Sequence, residues 1–305
     1  MVLNALFPVF AVILLGGVLR RIGFVANTFF FAADRLVYFI LFPCMLFWKI
    51  GSGGASGGVN SGLIAAALLA VLTIYAASTL YIFAARVPAF QAGTFSQGCY
   101  RFNTYIGMAI ALKAAGDEGA VLFAVTIGLV IPVINVLSVG TLIGFSEKLL
   151  STWEKIRYMV RALASNPLIL ACLAGIAFSA TGMRLPGFVD HTLSLLSMAA
   201  LPLALLSVGS AFSVIRISGR IGNTIATVVF KLVMLPAAGA FFMVLFGVEG
   251  TAFRTGMIFF CLPASPAIYV LSSQMNSDTE LASASIVVST LLSFFTLSAA
   301  ILLTG

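Results

Sequence analysis

The residues best suited to chemistry stand where polar groups interrupt long apolar runs. In QGCYRFNTYIGMAIALKAAG, Arg101, Asn103, Thr104 and Tyr105 cluster just ahead of Gly107. In FFCLPASPAIYVLSSQ, Pro263 and Pro266 bracket Ser265. A proline has no N–H, so each frees a carbonyl about one turn earlier. An unpaired carbonyl is costly in hydrocarbon and is tolerated only where it faces protein or a wet cavity. A half-helix that starts beside such a break offers N–H groups and a positive dipole end, which suit a carboxylate. Arg101 adds a side chain able to grip a carboxylate through two parallel hydrogen bonds. The expected chemistry is anion binding by Arg101, Asn103, Thr104, Tyr105, Pro263, Ser265 and Pro266, without covalent steps. Asp34, Lys231 and Gln274 are candidates for coupling or gating. Each charge also has a structural alternative: Arg101 could pair with Asp34 or reach the interface, Asp34 could pair with Arg35, and Lys231 could serve helix packing.

Other chemistries find little support. There is no HExxH, no aspartate pair in facing helices, and His191, the single histidine, is expected in a loop, so an intramembrane enzyme is not expected. Cys44, Cys99, Cys172 and Cys261 lie in apolar segments without a CxxC, which predicts free thiols and no metal site or cofactor. The net charge of +7 is scattered over short loops, so it does not point to nucleic acid.

The elements that must position these residues are membrane helices. The chain is 61% hydrophobic and only 8% charged, with a mean hydropathy of +1.16, whereas soluble domains carry about a quarter charged residues. The apolar runs are about 20 residues long and do not alternate, which selects helices over a barrel. Ten spans are expected, near 3–20, 29–49, 61–85, 94–113, 119–144, 164–182, 189–213, 221–247, 252–273 and 281–303. The first is read as a span because Arg20 and Arg21 follow it, the reverse of a signal peptide's charge order. The Gly/Ser stretch from Gly51 to Gly62 reads as a loop, and 146–163 as an interfacial linker helix. With the N-terminus outside, the inner loops hold Arg20, Arg21, Arg86, Lys148, Lys155, Arg157, Arg161, Arg216 and Arg220. The outer ends hold only Lys49, Lys113, Arg184 and Arg254. That asymmetry places both termini outside.

The two halves resemble each other. Pro8 and Pro167 lie 159 positions apart, as do Pro43 and Pro202; Asp117 and Asp278 lie 161 apart. Residues 1–145 and 164–305 therefore read as two five-helix repeats. An odd number of spans per repeat inverts the second copy, and in inverted-repeat transporters the site lies near the midplane where broken helices meet. Pro43, Pro132, Pro202 and Pro236 are expected to kink helices, Gly16, Gly17 and Gly209 to permit close helix approach, and the 27 phenylalanines to face mostly lipid.

Several segments resemble the auxin efflux carrier family. These are LFPVFAVILLGGVLRRIGF, LVYFILFPCMLFWKI, RFNTYIGMAIALKAAG, ALPLALLSVGSAFS, FKLVMLP and CLPASPAIYVLSSQMNSDTELASASIVVSTLLSFFTL, spread in order over nearly the whole chain. The resemblance implies a ten-span all-α fold, akin to bile-acid/sodium symporters, with a scaffold and a transport core in which spans four and nine cross. It implies an organic-anion substrate: auxin in plant members, malonate or malate in bacterial relatives. Lacking the long central loop of many plant members, this chain is expected to be a compact dicarboxylate carrier of the bacterial inner membrane working by elevator-type alternating access. An auxin-like monocarboxylate carrier and a passive channel or sensor are the alternatives. Co-transported H+ or Na+ and a homodimer are further implications. By position, Asn103, Pro263 and Pro266 match the crossover, but the fourth span has no proline at its break, and too few intramembrane acids are present to assign a sodium site.

Overall fold

The structure, a computed structural model, describes residues 2–52, 59–145, 164–211 and 220–304, with Trp153, Arg157 and Val160 between them. Most of the linker expected at 146–163, and the centre of the Gly/Ser loop, lie outside the described residues. Gly51 and Ser52 end a helix and Ser61 begins the next, so the loop is shorter than 51–62. Among the described residues the chain is helical, and its only strand-like pairing is one isolated antiparallel bridge. Among the described residues, seven helices are long and apolar enough to cross a membrane.

The order is α1 (Val2–Arg21), α2 (Asn27–Leu36), α3 (Phe42–Ser52), α4 (Ser61–Ala84), α5 (Ala89–Tyr100), α6 (Thr104–Gly144), α7 (Pro167–Ala180), α8 (Gly187–Ser210), α9 (Ile221–Val229), α10 (Leu235–Leu245), α11 (Gly250–Phe260), α12 (Ala267–Gln274) and α13 (Thr279–Leu303). π-helical turns, Val37–Leu41 and Phe230–Met234, join α2 to α3 and α9 to α10. Each widened turn lies just upstream of a proline, Pro43 or Pro236. A proline in a helix removes one N–H and crowds the carbonyl four residues back, and a π turn relieves both without ending the helix. Pro8, Pro132 and Pro202 sit within continuous helices. The expected fourth and fifth spans are linked through α6, whose helix is interrupted only at Gly116, with φ 68° and ψ −162°. Such a left-handed φ is open to glycine at little cost.

The helices fall into two groups. In one, α1 lies along α8, and α3 lies along α7 and α8. In the other, α4, α5, α6 and α9–α13 pack together: α11 on α6, α10 on α4, and α9 on α13 and α5. Contacts of α6 with α1, α3, α7 and α8 join the groups. Backbones touch where α1 meets α8. A Cβ on Gly16 would sit 2.1 Å from the Leu206 carbonyl oxygen, and one on Gly209 would sit 1.7 Å from that of Ile13. Gly17 is less tight, at 3.2 Å from the Gly209 oxygen. The small residues thus permit close approach, as their placement in the sequence suggests.

The phenylalanines divide instead of mostly facing lipid. Phe7, Phe83, Phe241 and Phe295 are among those on the outer surface, while Phe42, Phe95, Phe102, Phe123, Phe230, Phe259 and Phe260 are buried. Once lipid surrounds the bundle, helix association depends on dispersion and close packing, and flat rings fill the space left around broken helices.

Replacing Gly209 by alanine should lower stability by about 1–3 kcal/mol, because the added methyl meets backbone that cannot yield. Gly187→Ala, with nothing near its Cβ, is the control. Thermal unfolding in detergent should show a clear drop in melting temperature for the first and almost none for the second; equal values would contradict this packing.

Candidate functional site: a crossing of two broken helices

Two helices break and meet. The first stops at Tyr100 and resumes at Thr104; the second stops at Phe260 and resumes at Ala267. The isolated bridge pairs Phe102 with Ala264 in antiparallel fashion. The Asn103 N–H donates to the Pro263 carbonyl at 3.0 Å, and the Ala264 N–H donates to Ser289 Oγ of α13 at 3.0 Å. Each break thus repairs part of the other's lost backbone pairing, a condition that the apolar interior imposes.

Local caps restart the helices. Asn103 Oδ1 accepts from the N–H groups of Tyr105 (3.0 Å) and Ile106 (3.2 Å). Ser265 Oγ accepts from the Ala267 N–H at 3.3 Å, and Pro266 stands at the N-cap of α12. These caps alter the expected chemistry: the half-helix N–H groups are largely spent on the chain's own side chains. The dipole field remains, but the donors left for a ligand are side-chain ones.

Two such donors lie side by side in sequence. Asn103 is fully buried, and its Nδ2 has no partner among the described residues. Arg101 Nη2 donates to Asn135 Oδ1 of α6 at 2.9 Å, while Nη1 is buried and unpartnered. No acid pairs with Arg101; the ion pairs among the described residues are Lys49–Asp117, Arg220–Asp278 and Arg220–Glu280. The alternative pairings of Arg101 with Asp34, and of Asp34 with Arg35, are therefore not formed.

The neighbouring helix group closes on this point. Tyr105 stacks edge-on against Phe42 with ring centroids 4.8 Å apart. Tyr38, in the first π turn, lies within electrostatic range of both Arg101 and Asp34, and Asp34 is in range of Tyr105. Ser207 of α8 donates to Asp34 Oδ1 at 3.4 Å. Arg101, Asn103, Thr104, Tyr105, Pro263, Ser265 and Pro266 are thus gathered around one crossing, with Asp34 at its margin. Gln274 is not: it ends α12 and is exposed, about 10 Å along the helix from its start. Lys231 reaches the crossing from the second π turn, with Nζ 5.9 Å from the centre of the Phe102 ring.

Asn135 and Tyr38 are the contributors that the sequence reading missed. A lone amide in IPVINVLSVG and a lone phenol in LVYFILFP were the available signals, and nothing in their spacing ties them to Arg101.

A second polar system lies at the far end of α12. Asp278 is 1% exposed and caps α13 through Oδ1, accepting from Glu280 and Leu281 N–H groups. Its Oδ2 accepts from Arg220 Nε at 2.5 Å and Gln91 Nε2 at 3.1 Å, and Arg220 also pairs with Glu280. Asp117, which lies 161 positions earlier in the sequence, is 79% exposed and pairs with Lys49 at 2.6 Å.

This geometry is that of a polytopic helical membrane protein, and comparison with known proteins identifies a transporter. Residues 119–301 match the membrane transport protein family, and the chain belongs to it. It is also 23% identical over 300 residues, 96% of this chain and 95% of the relative, to an uncharacterized transporter of Methanothermobacter thermautotrophicus. Both comparisons point to transport rather than catalysis, and they bear out the resemblance noted above at the level of this family.

The two aspartates should separate under mutation. Asp278→Ala removes a cap and leaves Arg220 and Gln91 without their shared acceptor, so a loss of about 2 kcal/mol or more is expected. Asp117→Ala removes a surface pair and should cost within about 1 kcal/mol. Chemical or thermal unfolding of the two variants checks this order.

Proposed function

We propose that this chain is a secondary-active carrier of a small organic anion, with a dicarboxylate such as malonate or malate as substrate. The anion binds where the crossing of the broken helices faces α2, α3 and α8. The observation that carries this reading is Arg101: a guanidinium with no acidic partner, one buried nitrogen unsatisfied, beside the free amide of Asn103. A half-buried cation held by a neutral amide is incomplete, and a carboxylate supplies the missing charge. Thr104, Tyr105 and Ser265 line the same place, and the Pro263 and Pro266 break sets its shape.

The chain forms one integrated domain of ten spans in two inverted repeats, 1–145 and 164–305, joined by 146–163. Helix packing supports the repeat: α1 packs on α8 as α7 packs on α3, which is one contact seen twice if the halves are equivalent. The group α1, α2, α3, α7 and α8 is the scaffold, and the rest is the core that shifts against it in elevator fashion. Both termini lie outside the bacterial inner membrane. The polar contacts agree with the alternation of the spans, whichever face is outside, since each joins residues assigned to the same face: Lys49 with Asp117, Arg254 with the Thr304 carbonyl, and Arg220 with Asp278.

Uptake of labelled malonate and malate into proteoliposomes, with and without inward H+ or Na+ gradients, tests the reading. Saturable uptake is expected. Arg101→Ala and Asn103→Ala should each weaken it at least tenfold, since a hydrogen bond to a charged group contributes about 1.5–3 kcal/mol. Unaltered transport in both variants would remove these residues from the site; no uptake of either acid by tight vesicles would remove dicarboxylates as substrates.

A further inference from the structure

Lys231 is fully buried, and its Nζ has no hydrogen-bond partner among the described residues. It lies within a π turn, at Phe230–Met234, a widening often found at functional positions. Three neighbours locate the amine: the Phe102 ring in the first break, and Cys99 and Cys261, both within electrostatic range. Cys99 is the penultimate residue of α5 and Cys261 is the C-cap of α11. The amine therefore sits where the two half-helices end.

A helix C-terminus is the negative end of its dipole and carries carbonyls without intrahelical partners. Two such ends converging beside unwound backbone are the setting in which transporters hold a coupling cation. Among the described residues no Asp or Glu forms an ion pair with Lys231. The titratable groups in range are the thiols of Cys99 and Cys261, and the face towards Phe102 is aromatic. Helix ends and a ring face are what the chain provides here to stabilise a positive charge.

We propose that the Lys231 ammonium is a built-in cation occupying the position that a co-transported metal ion would otherwise hold at the paired C-terminal ends of α5 and α11, so that transport needs no Na+. The proposal rests on the carrier reading above for its transport consequence, but the cation site itself can be tested without it.

Two measurements on the full chain separate the two ideas. The first is thermal unfolding of purified wild type and Lys231→Ala in choline, sodium or methylammonium chloride at equal ionic strength. Wild type should be indifferent to the cation. Lys231→Ala should melt several degrees lower in choline and recover part of the loss in methylammonium, whose head group replaces the missing ammonium. The second is malonate and malate uptake in the same salts: wild-type uptake should be equal in sodium and choline, and Lys231→Gln should lose it at least tenfold while Lys231→Arg retains part. Selective stabilisation of wild type by sodium, sodium-stimulated uptake, or Lys231→Ala as stable and as indifferent to cations as wild type would each overturn the proposal. If Lys231→Ala does not fold, Lys231→Gln replaces it in the unfolding series with the same expected outcomes. Absence of uptake in wild type would count against the anion-carrier reading alone, and the unfolding series would still decide the fate of the cation site.

Discussion

A single backbone hydrogen bond, from the Asn103 N–H to the Pro263 carbonyl, reconciles two broken helices with an interior that cannot solvate them. Water is not at hand to satisfy freed N–H and C=O groups at membrane depth. One break can be patched by side chains; two at the same depth can patch each other. The pairing has a geometric result. Extended backbone sends successive side chains to opposite sides, so Arg101 and Asn103 fall on one side of the bridge and Phe102 on the other. Arg101 meets Asn135 and lies in range of Tyr38, while Phe102 meets Phe259 and Lys231. The half-buried Arg101 and the buried Lys231 are thereby kept apart by the alternation of three residues.

The two helix groups hold their shapes by different means. Around the crossing, α5 is keyed to α12 and the turn after it by a buried polar ladder: Thr94 bonds Ser272 and Ser277, and Gln97 bonds Ser272. Asn223 extends the ladder through Gln91 to Asp278. Buried side-chain hydrogen bonds fix register in a setting where apolar faces alone would slide. In the other group, α1 and α8 meet through glycine backbone contact, a fit decided by shape. Between the groups, Lys49–Asp117 is the one ion pair among the described residues, and it lies at the surface, where it contributes little.

Much of this was legible in the sequence because hydrocarbon is a strict solvent: long apolar runs declare helices, and any polar or proline-rich interruption needs a reason. The clusters at Arg101–Tyr105 and Pro263–Pro266 stood out on that ground and do meet. What was illegible depended on distant packing. Asn135 lies 34 residues beyond Arg101 and Tyr38 lies 63 before it, so neither shares a local pattern with it. The helix N–H groups looked available from sequence, yet Asn103 and Ser265 consume them, because a residue able to serve a ligand is equally able to cap its own helix. Gln274 shares a segment with Ser265 but not a place, since eight residues of helix carry it away. The family match over 119–301 includes the second break and not the first.

The balance of charge at the crossing argues for an anion on one side and against a metal ion on the other. Arg101 and Lys231 both lack acidic partners, and an interior of low dielectric penalises each. Lys231 is enclosed near two helix C-terminal ends and an aromatic face, the setting proposed above for a built-in cation. Arg101 has Asn135, which supplies a dipole but no charge, and its second nitrogen stays unpaired at the junction with the other helix group. Only there can compensation arrive from outside. On this reading the lysine sets a fixed positive background that repels a coupling cation, and the arginine is the one charge left for a carboxylate to complete.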